Sequence, residues 1–211
     1  MTQPASKCPN CGAPITFQWS NAVQTVCPYC QSVVVRHDVD LEALGTVADL
    51  PEDASPIQIG TEGRFDDQPF TVTGRIVYEY DDGGWNEWHL AFPNGGSGWL
   101  SDAQAEYAVS RLFTSPLKLP PGDRIQVGGT LTLPNVVYQV ATITNARYRG
   151  VEGELPFQYF GKDTIRFVDL RAPRGGFATI DYSEQPPLLF TGRFVDYDAL
   201  ALRNVRTFEG W

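Results

Sequence analysis

The chain has 211 residues with 12% aromatics, 20 glycines and 16 prolines, and its formal charge is −9. This length can bury a sizeable core, and frequent Val, Thr, Tyr and Phe runs between the turn residues favour β-structure over a helical bundle. The sequence has no run of 18 apolar residues, so it predicts no membrane-spanning helix. It also shows no targeting signal, and we therefore expect a cytoplasmic protein.

The acidic residues are unevenly distributed. Residues 1–37 contain no Asp or Glu, so all 25 acids follow His37. The amino-terminal segment can offer a phosphate backbone only Lys7, Arg36 and that histidine. Nucleic-acid-binding proteins usually carry a clustered basic face, and this chain lacks one. The pattern weighs against a nucleic-acid partner, although a nucleic-acid-associated regulator stays an alternative function.

All the cysteines of the chain lie within one short segment, in the pattern C-x2-C-x15-C-x2-C. They are Cys8, Cys11, Cys27 and Cys30. Two residues between the members of each pair allow a tight turn with both thiolates directed at one ion, and two such turns supply the tetrahedral ligands of Zn2+. Four thiolates leave no position for water, so we expect a structural zinc ion. The alternatives are two disulfides, which a cytosolic location disfavours, a redox pair, and an iron–sulfur cluster.

The predicted zinc ribbon spans residues 1–36. Alternating apolar and polar residues predict strands over 15–19 and 23–26, which we expect to pair as a hairpin between the two cysteine turns. Residues 33–35 can add a third strand. Because a module of this size has little hydrophobic core of its own, the metal would supply much of its stability.

Residues 37–56 are predicted to form an acidic linker. Six acids and two prolines leave this segment little apolar surface to bury. Residues 40–44 within it could make a short N-capped helical turn. We therefore place a domain boundary here, before a β-rich domain at 57–199.

The β-rich domain is predicted to contain two related units, at about 57–115 and 122–199. They would pack as one antiparallel domain or as two small barrels. The internal similarities are between the strands at 70–76 and 137–143, between the strand–turn–strand segments at 89–101 and 167–181, and between the Thr-Gly-Arg triplets at 73–75 and 191–193.

One short helix is predicted at 101–113, where Ser101 would be the N-cap and Gln104 lies at capping-box spacing. After the second unit, residues 200–211 are predicted to be a tail. Three apolar side chains of the tail are expected to dock on the barrel: Val205, Phe208 and Trp211. The predicted fold is thus mainly β, with a four-cysteine zinc ribbon followed by two barrel-like units.

Four short blocks carry a resemblance to a known family. They are G-W-N-E-W-H-L at 84–90, G-W-L-S-D-A-Q-A-E-Y at 98–107, G-E-L-P at 153–156 and A-T-I-D-Y-S at 178–183. They are similar to an uncharacterised bacterial family that joins an N-terminal zinc ribbon to a β-rich domain of unknown function. The resemblance implies a non-enzymatic cytoplasmic protein and supplies no catalytic residues. Where this chain has Ala105, the family pattern has glycine, a difference that would matter little in a helix.

The strand at 85–92 is the place where acids, a histidine and tryptophans converge. Glu87 and His89 lie two residues apart and so face one side of a strand, which could make a ligand pocket or could simply be a half-buried strand. The sequence has no nucleophile elbow, phosphate loop or second histidine nearby. We therefore predict that the protein is not an enzyme, with an unrecognised enzyme acting at this pocket as the alternative.

Aromatic residues around the same strand could form an exposed strip for a protein partner, as in SH3-like barrels, and core packing is the alternative for at least half of them. The candidate partner-binding residues are Trp85, Glu87, Trp88, His89, Trp99 and Tyr107. The sequence thus predicts a non-catalytic adaptor, stabilised by structural Zn2+, whose β domain engages a protein partner. Any membrane association would be indirect, through that partner.

Overall fold

The structure is a computed structural model that describes residues 6–37, 40–47, 50, 54–158 and 164–208. These residues form fifteen strands and three 3-10 helices of three or four residues each. The mainly β fold predicted from the sequence is confirmed. Nowhere in the described ranges is there a helix long and apolar enough to cross a membrane.

Two short hairpins hold the cysteines. Their strands are β1 (Ser6–Lys7) with β2 (Pro14–Ile15), and β3 (Gln24–Val26) with β4 (Ser32–His37). Each cysteine pair lies in the turn of one hairpin. The predicted hairpin between 15–19 and 23–26 is wrong, because the amides of Gln18 and Trp19 donate to a carboxylate of the β-rich domain and not to a neighbouring strand.

A third strand, β5 (Asp40–Thr46), pairs with β4 and completes this sheet. It lies in the segment predicted as linker, and the helical turn expected at 40–44 is wrong. Acids alternate with apolar residues here: Asp40 and Glu42 are exposed, while Leu41 packs against the cysteine-containing core. Period-two alternation is the pattern of a half-buried strand. The high number of acids in this segment favoured a linker instead, and the strand was therefore not predicted. We call residues 6–37 and 40–46 the ribbon.

Ten antiparallel strands form the β-rich domain. They are β6 (Glu62–Phe65), β7 (Gln68–Tyr80), β8 (Gly83–Ala91), β9 (Ser97–Ala103), β10 (Glu106–Leu112), β11 (Thr130–Leu133), β12 (Val136–Gly153), β13 (Ile165–Ala172), β14 (Gly176–Asp181) and β15 (Leu188–Val195). Eight of them close into a barrel, because β10 pairs with β15 and the long β12 pairs with both β13 and β7. The outer strands β6 and β11 are hairpin partners of β7 and β12.

The strand order is symmetric. Strands β6 to β10 form one five-strand meander, and β11 to β15 form a second with the same order. The two predicted units at about 57–115 and 122–199 each contain one meander, and together they build a single barrel. The similarity between 70–76 and 137–143 relates equivalent strands, β7 and β12.

The recurring Thr-Gly-Arg triplets do not mark equivalent positions, because they lie on β7 and β15. Their glycines share a packing role instead. A Cβ at Gly74 would collide with the backbone of Glu154, and one at Gly192 would collide with the backbone of Val109. Both triplets therefore lie where neighbouring main chains approach too closely for any side chain.

The helix predicted at 101–113 is wrong. These residues form the end of β9, a turn, and β10. Gln104 and Ala105 occupy the turn with φ angles of 52° and 65°. Two left-handed residues in a two-residue loop match the type I′ hairpin geometry. Asparagine and glycine usually mark such a turn, and the Gln-Ala pair instead matched a helix-capping pattern.

Peripheral segments cover both outer faces of the barrel. Ile57 and Leu200, which are fully buried, pack with Trp88 on the first meander. Ile125 and Leu133 lie in a cluster on the second. The start of the predicted tail therefore docks on the barrel.

The rest of the predicted tail packs less closely. Val205 is half-buried and Phe208 is 38% exposed, so the docking expected of Phe208 is wrong. Trp211 lies outside the described residues. The tail is held by its first residues, by backbone bonds between Arg203 and Glu62, and by further hydrogen bonds of Asn204 and Arg206.

The ribbon packs against one end of the barrel, called here the closed end. The main chains of Gln24 and Leu155 exchange two hydrogen bonds, of 3.2 and 2.9 Å. The buried carboxylate of Glu154 accepts hydrogen bonds from the amides of Gln18 and Trp19, at 2.6 and 2.8 Å. These contacts fix the ribbon to the residues that follow β12.

Candidate metal centre and barrel cavity

The four cysteine sulfurs lie close together, all within 4.8 Å of one another. The Sγ atoms of Cys8 and Cys30 are 3.7 Å apart, and those of Cys11 and Cys27 are 3.8 Å apart. Four sulfurs at about 2.3 Å from a central zinc ion would be about 3.8 Å apart along each tetrahedron edge. The cluster therefore fits a tetrahedral thiolate-bound metal ion.

Hydrogen bonds around the cluster support the thiolate form of one ligand. Ser32 Oγ lies 3.2 Å from the sulfur of Cys30, and Asn10 donates to that same hydroxyl at 2.9 Å. Bonds from the Ser32 side chain and backbone lower the pKa of the Cys30 thiol to about 6. Partners of this kind orient metal ligands and make thiolates available at neutral pH. The four predicted ligands are thus brought together.

A second candidate site is the interior of the barrel, which contains a cavity of about 370 Å³. Its wall is built from alternate residues of the barrel strands, because successive side chains of a strand face opposite sides. On β8 these are Trp85 and Glu87, and on β13 they are Phe167 and Asp169. The cavity therefore combines aromatic rings with acidic groups.

Four carboxylates lie in the cavity wall: Glu106, which is exposed, and Glu87, Asp169 and Asp181, which are not. Glu87 accepts hydrogen bonds from Trp85 Nε1 at 3.0 Å and from Ser101 Oγ at 2.8 and 3.0 Å. Its carboxylate keeps some accessible surface because it faces the cavity, yet protein encloses it. This burial, with the two aspartates nearby, raises the pKa of Glu87 to about 8 despite those bonds.

Hydrogen bonds also hold the two aspartates in place. Asp169 accepts a hydrogen bond from Thr142 at 3.0 Å, and burial raises its pKa. Asp181 is 9% exposed and accepts a hydrogen bond from the amide of Ser183 at 2.7 Å. The barrel interior thus keeps several acids away from bulk water, which is costly unless a partner compensates them.

Aromatic rings form the apolar part of the wall. Trp85 stacks on Tyr78 with ring centroids 4.9 Å apart, and Phe167 meets Trp85 edge-on at 5.4 Å. Trp99 and Phe157 continue the wall toward the closed end, with centroids 5.8 Å apart. These contacts hold several rings in fixed orientations around the cavity.

The two ends of the cavity differ. At the closed end, Trp19 of the ribbon packs on His89 at 4.7 Å, and His89 packs on Trp99 at 5.2 Å. At the other end, called the open end, the wall includes the exposed residues Glu106 and Arg171, which form a 2.7 Å ion pair. Because β14 and β15 lie between β13 and β10 in the sheet, this ion pair bridges two strands at the mouth of the cavity.

The six candidate partner-binding residues do not form an exposed strip. Trp88 and His89 have no exposed surface, and Trp99 is 8% exposed. Trp85 and Glu87 face the cavity, and Tyr107 is half-buried against the ring of Tyr197. The expectation of a surface strip is wrong because one face of β8 points into the barrel and the other is covered by peripheral segments.

Glu87 and His89 lie on the same face of β8, but their side chains have different surroundings. His89 accepts or donates a 2.8 Å hydrogen bond between Nδ1 and Thr73 Oγ1, and burial lowers its pKa to about 3. The imidazole is enclosed between two tryptophan rings and is not part of the cavity wall. The structure therefore separates the two groups that a pocket at this strand would have combined.

Sequence reasoning did not select Asp169 or Asp181. Each lies in an apolar strand pattern, Phe-Val-Asp-Leu and Thr-Ile-Asp, at a position where the neighbouring residues are core. An acidic residue within an apolar strand pattern indicates a carboxylate that faces the interior, and this signal could have identified both aspartates. Which acids meet across the barrel depends on closure, and closure is not visible in any local pattern.

Comparison with known protein families gave a match. Residues 58–197 match the model of a family described as a domain of unknown function, DUF4178. This range includes every strand of the β-rich domain, so the chain belongs to that family. Searches of curated proteins and of solved structures gave no match.

Proposed function

We propose that this DUF4178 protein is a non-catalytic binding protein of the cytoplasm, in which a structural zinc ion stabilises the ribbon and the barrel interior binds a small organic ligand. The observation that carries the proposal is the cavity of about 370 Å³ with aromatic and polar walls. Ligand sites are concave, mostly apolar, about 300–1,000 Å³ in volume, and contain a few convergent polar groups. The cavity has these properties.

The chemistry of both sites supports a binding role over a catalytic one. Four thiolates fill the coordination sphere of a zinc ion and leave no position for a reacting water. The imidazole of His89 is enclosed between two tryptophan rings, outside the cavity, and cannot exchange protons with Glu87. The cavity walls are suited to binding a molecule, and a zinc ion with four thiolate ligands is suited to stabilising the fold of the ribbon.

The protein partner predicted from the sequence remains a second candidate, on a different surface. One outer edge of the sheet is covered, because Glu62 of β6 exchanges two backbone hydrogen bonds with Arg203. At the other edge, β11 pairs only with β12 among the described residues, and Val136 and Val137 beside it are exposed. An uncovered edge strand can accept a strand of another protein.

The nucleic-acid alternative has less support. Of the basic side chains of the ribbon, Arg36 donates to the carbonyl of Ser20 at 2.5 Å and lies over the ring of Phe17. Phosphate-driven affinity falls steeply with salt. Retention on a polyanion column at low salt, lost at moderate salt, would favour this alternative over the cavity.

The cavity proposal is tested with N-phenyl-1-naphthylamine, a neutral apolar dye that fluoresces in protein cavities. We expect saturable binding with quenching of tryptophan fluorescence, because Trp85 and Trp99 line the cavity. The variant Ala108→Phe places a ring in the cavity from β10 and should abolish binding. Val137→Phe adds the same ring at a site that is 59% exposed and should leave it unchanged.

Either of two results would overturn the cavity proposal. One is that the wild-type chain does not bind the dye. The other is that Ala108→Phe and wild type bind it equally well, since the dye would then occupy another surface. Far-UV circular dichroism of both variants separates lost binding from lost folding.

A further inference from the structure

We infer that the ligand of the barrel is a small organic cation with a primary ammonium group, held by the interior carboxylates and the aromatic wall. This inference rests on the proposed binding function of the cavity and specifies the class of ligand. It follows from the charge of the wall, the arrangement of its acids, and the orientation of its rings.

The charge of the wall favours a cation. Glu87, Asp169 and Asp181 all face the cavity, and none of its described wall residues is a lysine. The basic residue there is Arg171, which is paired with Glu106 at the open end. Glu87 has no ion pair with any described basic side chain, and it accepts hydrogen bonds only from uncharged groups. A bound cation would favour the ionised form of Glu87, which burial otherwise disfavours, and would supply its opposite charge.

The spacing of the acids argues against a metal ion as that cation. Among the described residues, the four cysteines are the one group in which three or more metal-ligating atoms converge. Glu87, Asp169 and Asp181 do not converge in this way, so they are not arranged to surround one ion. Separate acceptors instead suit a ligand with several N–H donors, or one whose charged end meets a single carboxylate while its body fills the cavity.

The aromatic wall suits the remainder of such a ligand. The rings of Tyr78, Trp85 and Phe167 are in mutual contact, at 4.9 to 5.4 Å between centroids, and Trp85 donates its indole N–H to Glu87. An ammonium group bound to Glu87 would lie beside these rings, whose π electrons also attract a cation. An aliphatic chain attached to the ammonium would pack on the other rings.

The test compares two probes of the same shape, hexylammonium chloride and hexan-1-ol, by calorimetry with the full chain at constant ionic strength. We expect hexylammonium to bind at least about tenfold more tightly, the size of one charge-assisted contact. Glu87→Gln should remove most of this preference, and Asp169→Asn should reduce it. Glu62→Gln makes the same change on the exposed strand β6 and should leave the preference intact.

The outcomes separate this inference from the binding function. If hexan-1-ol binds as tightly as hexylammonium, or if neither displaces N-phenyl-1-naphthylamine from a chain that binds the dye, the cation inference is overturned and the cavity function stands. If Glu87→Gln and Asp169→Asn both keep the full preference, the cation binds elsewhere and the inference is also overturned. The two-probe comparison on the wild-type chain does not depend on whether either variant folds.

Discussion

The ribbon and the barrel are both antiparallel β structures, but different interactions stabilise them. The barrel strands form a closed hydrogen-bonded ring with apolar clusters inside it and on both outer faces. The ribbon has strands of two to seven residues and one small cluster that includes two of its own cysteines. A small β sheet needs a metal or a neighbour to be stable. The ribbon has the barrel as a neighbour and four cysteines that fit a metal ion.

The comparison also shows where the two regions depend on each other. The ribbon contributes Trp19 to the closed end of the barrel, and the barrel contributes the carboxylate of Glu154 to the ribbon. The fold of the ribbon should therefore fail on loss of metal, while the barrel loses only a cap. Five changes test this division, beginning with the one that should have the largest effect.

The largest effect is expected from removing the metal ligands. Cys8→Ser with Cys11→Ser should unfold the ribbon, because a structural zinc ion contributes on the order of 10 kcal/mol or more to a module of this kind. Hydrogen exchange should become fast over residues 6–37 and stay slow in the barrel strands. Elemental analysis of the wild type, purified without added metal, should give one zinc per chain.

Two results would contradict that expectation. A wild-type ribbon that is folded, metal-free and fully reduced would show that the ribbon does not need an ion. Fast exchange throughout the barrel in the double variant would show that the two regions share one cooperative core.

Trp19→Ala should have the next largest effect, because a buried tryptophan replaced by alanine costs about 3–5 kcal/mol in the free energy of unfolding. It should also open the closed end of the barrel and expose Trp99 to solvent, visible as a red shift of its fluorescence. Tyr29→Ala is the matched control, since Tyr29 lies in the ribbon and is 68% exposed. Equal effects of the two changes would show that Trp19 does not couple the regions.

Glu154→Gln should cost about 1–3 kcal/mol in the free energy of unfolding. The amide has one acceptor oxygen, so one of the N–H groups of Gln18 and Trp19 would lose its partner. Chemical denaturation measures the loss, and Glu62→Gln is the control for removing a charge. We expect the zinc content to be unchanged, because the contact joins the regions without touching the metal; a loss of zinc would contradict this.

Glu87→Gln should change the pH dependence of barrel stability. The pKa of Glu87 in the folded protein, about 8, lies above its ordinary value of 4.5, so the fold favours the protonated form. The stabilisation is complete below pH 4.5 and is lost as pH rises toward 8. In ligand-free protein, the melting temperature of the wild type should fall relative to Glu87→Gln over that window, and parallel curves would contradict the assignment.

The smallest effect is expected at the β9–β10 turn, within the barrel. Ala105 has a φ of 65°, a conformation that costs an alanine energy but not a glycine. Ala105→Gly should therefore raise the free energy of unfolding by about 0.5–1 kcal/mol, after the greater freedom of glycine in the unfolded chain is subtracted. Ala103→Gly, in the strand just before the turn, should lower it; a loss of stability in both would argue against the left-handed turn.

The sequence was sufficient to predict features that depend on local spacing. The ligand set follows from the intervals between Cys8, Cys11, Cys27 and Cys30, because a tight turn fixes where two sulfurs can point. The β-rich fold and the similarity between the two units follow from composition and from strand patterns that recur along the chain. These signals do not require knowledge of distant contacts.

Features that depend on distant contacts were missed. The closure of the barrel depends on one strand, β12, pairing with β7 at its end and with β13 at its start, and no local pattern shows this. No local pattern decides between a surface strip and core packing for Trp88 and Trp99. Ile57 and Leu200, which cover Trp88, are distant in the sequence, and Trp99 faces the interior only because the barrel closes. Gln104 and Ala105 form a left-handed turn, and neither is the asparagine or glycine that usually indicates such a turn in a sequence.

The shared strand β12 also determines how the chain could be divided. Its first half belongs to the second meander, and its last residues complete the edge of the first. A cut in the connection at 114–121 would leave two pieces with two open seams each, β7 and β10 on one piece and β12 and β15 on the other. The open edges of each piece can pair only with those of the other piece. The protein is therefore suited to a split reporter whose two halves form the barrel cavity only when they are brought together.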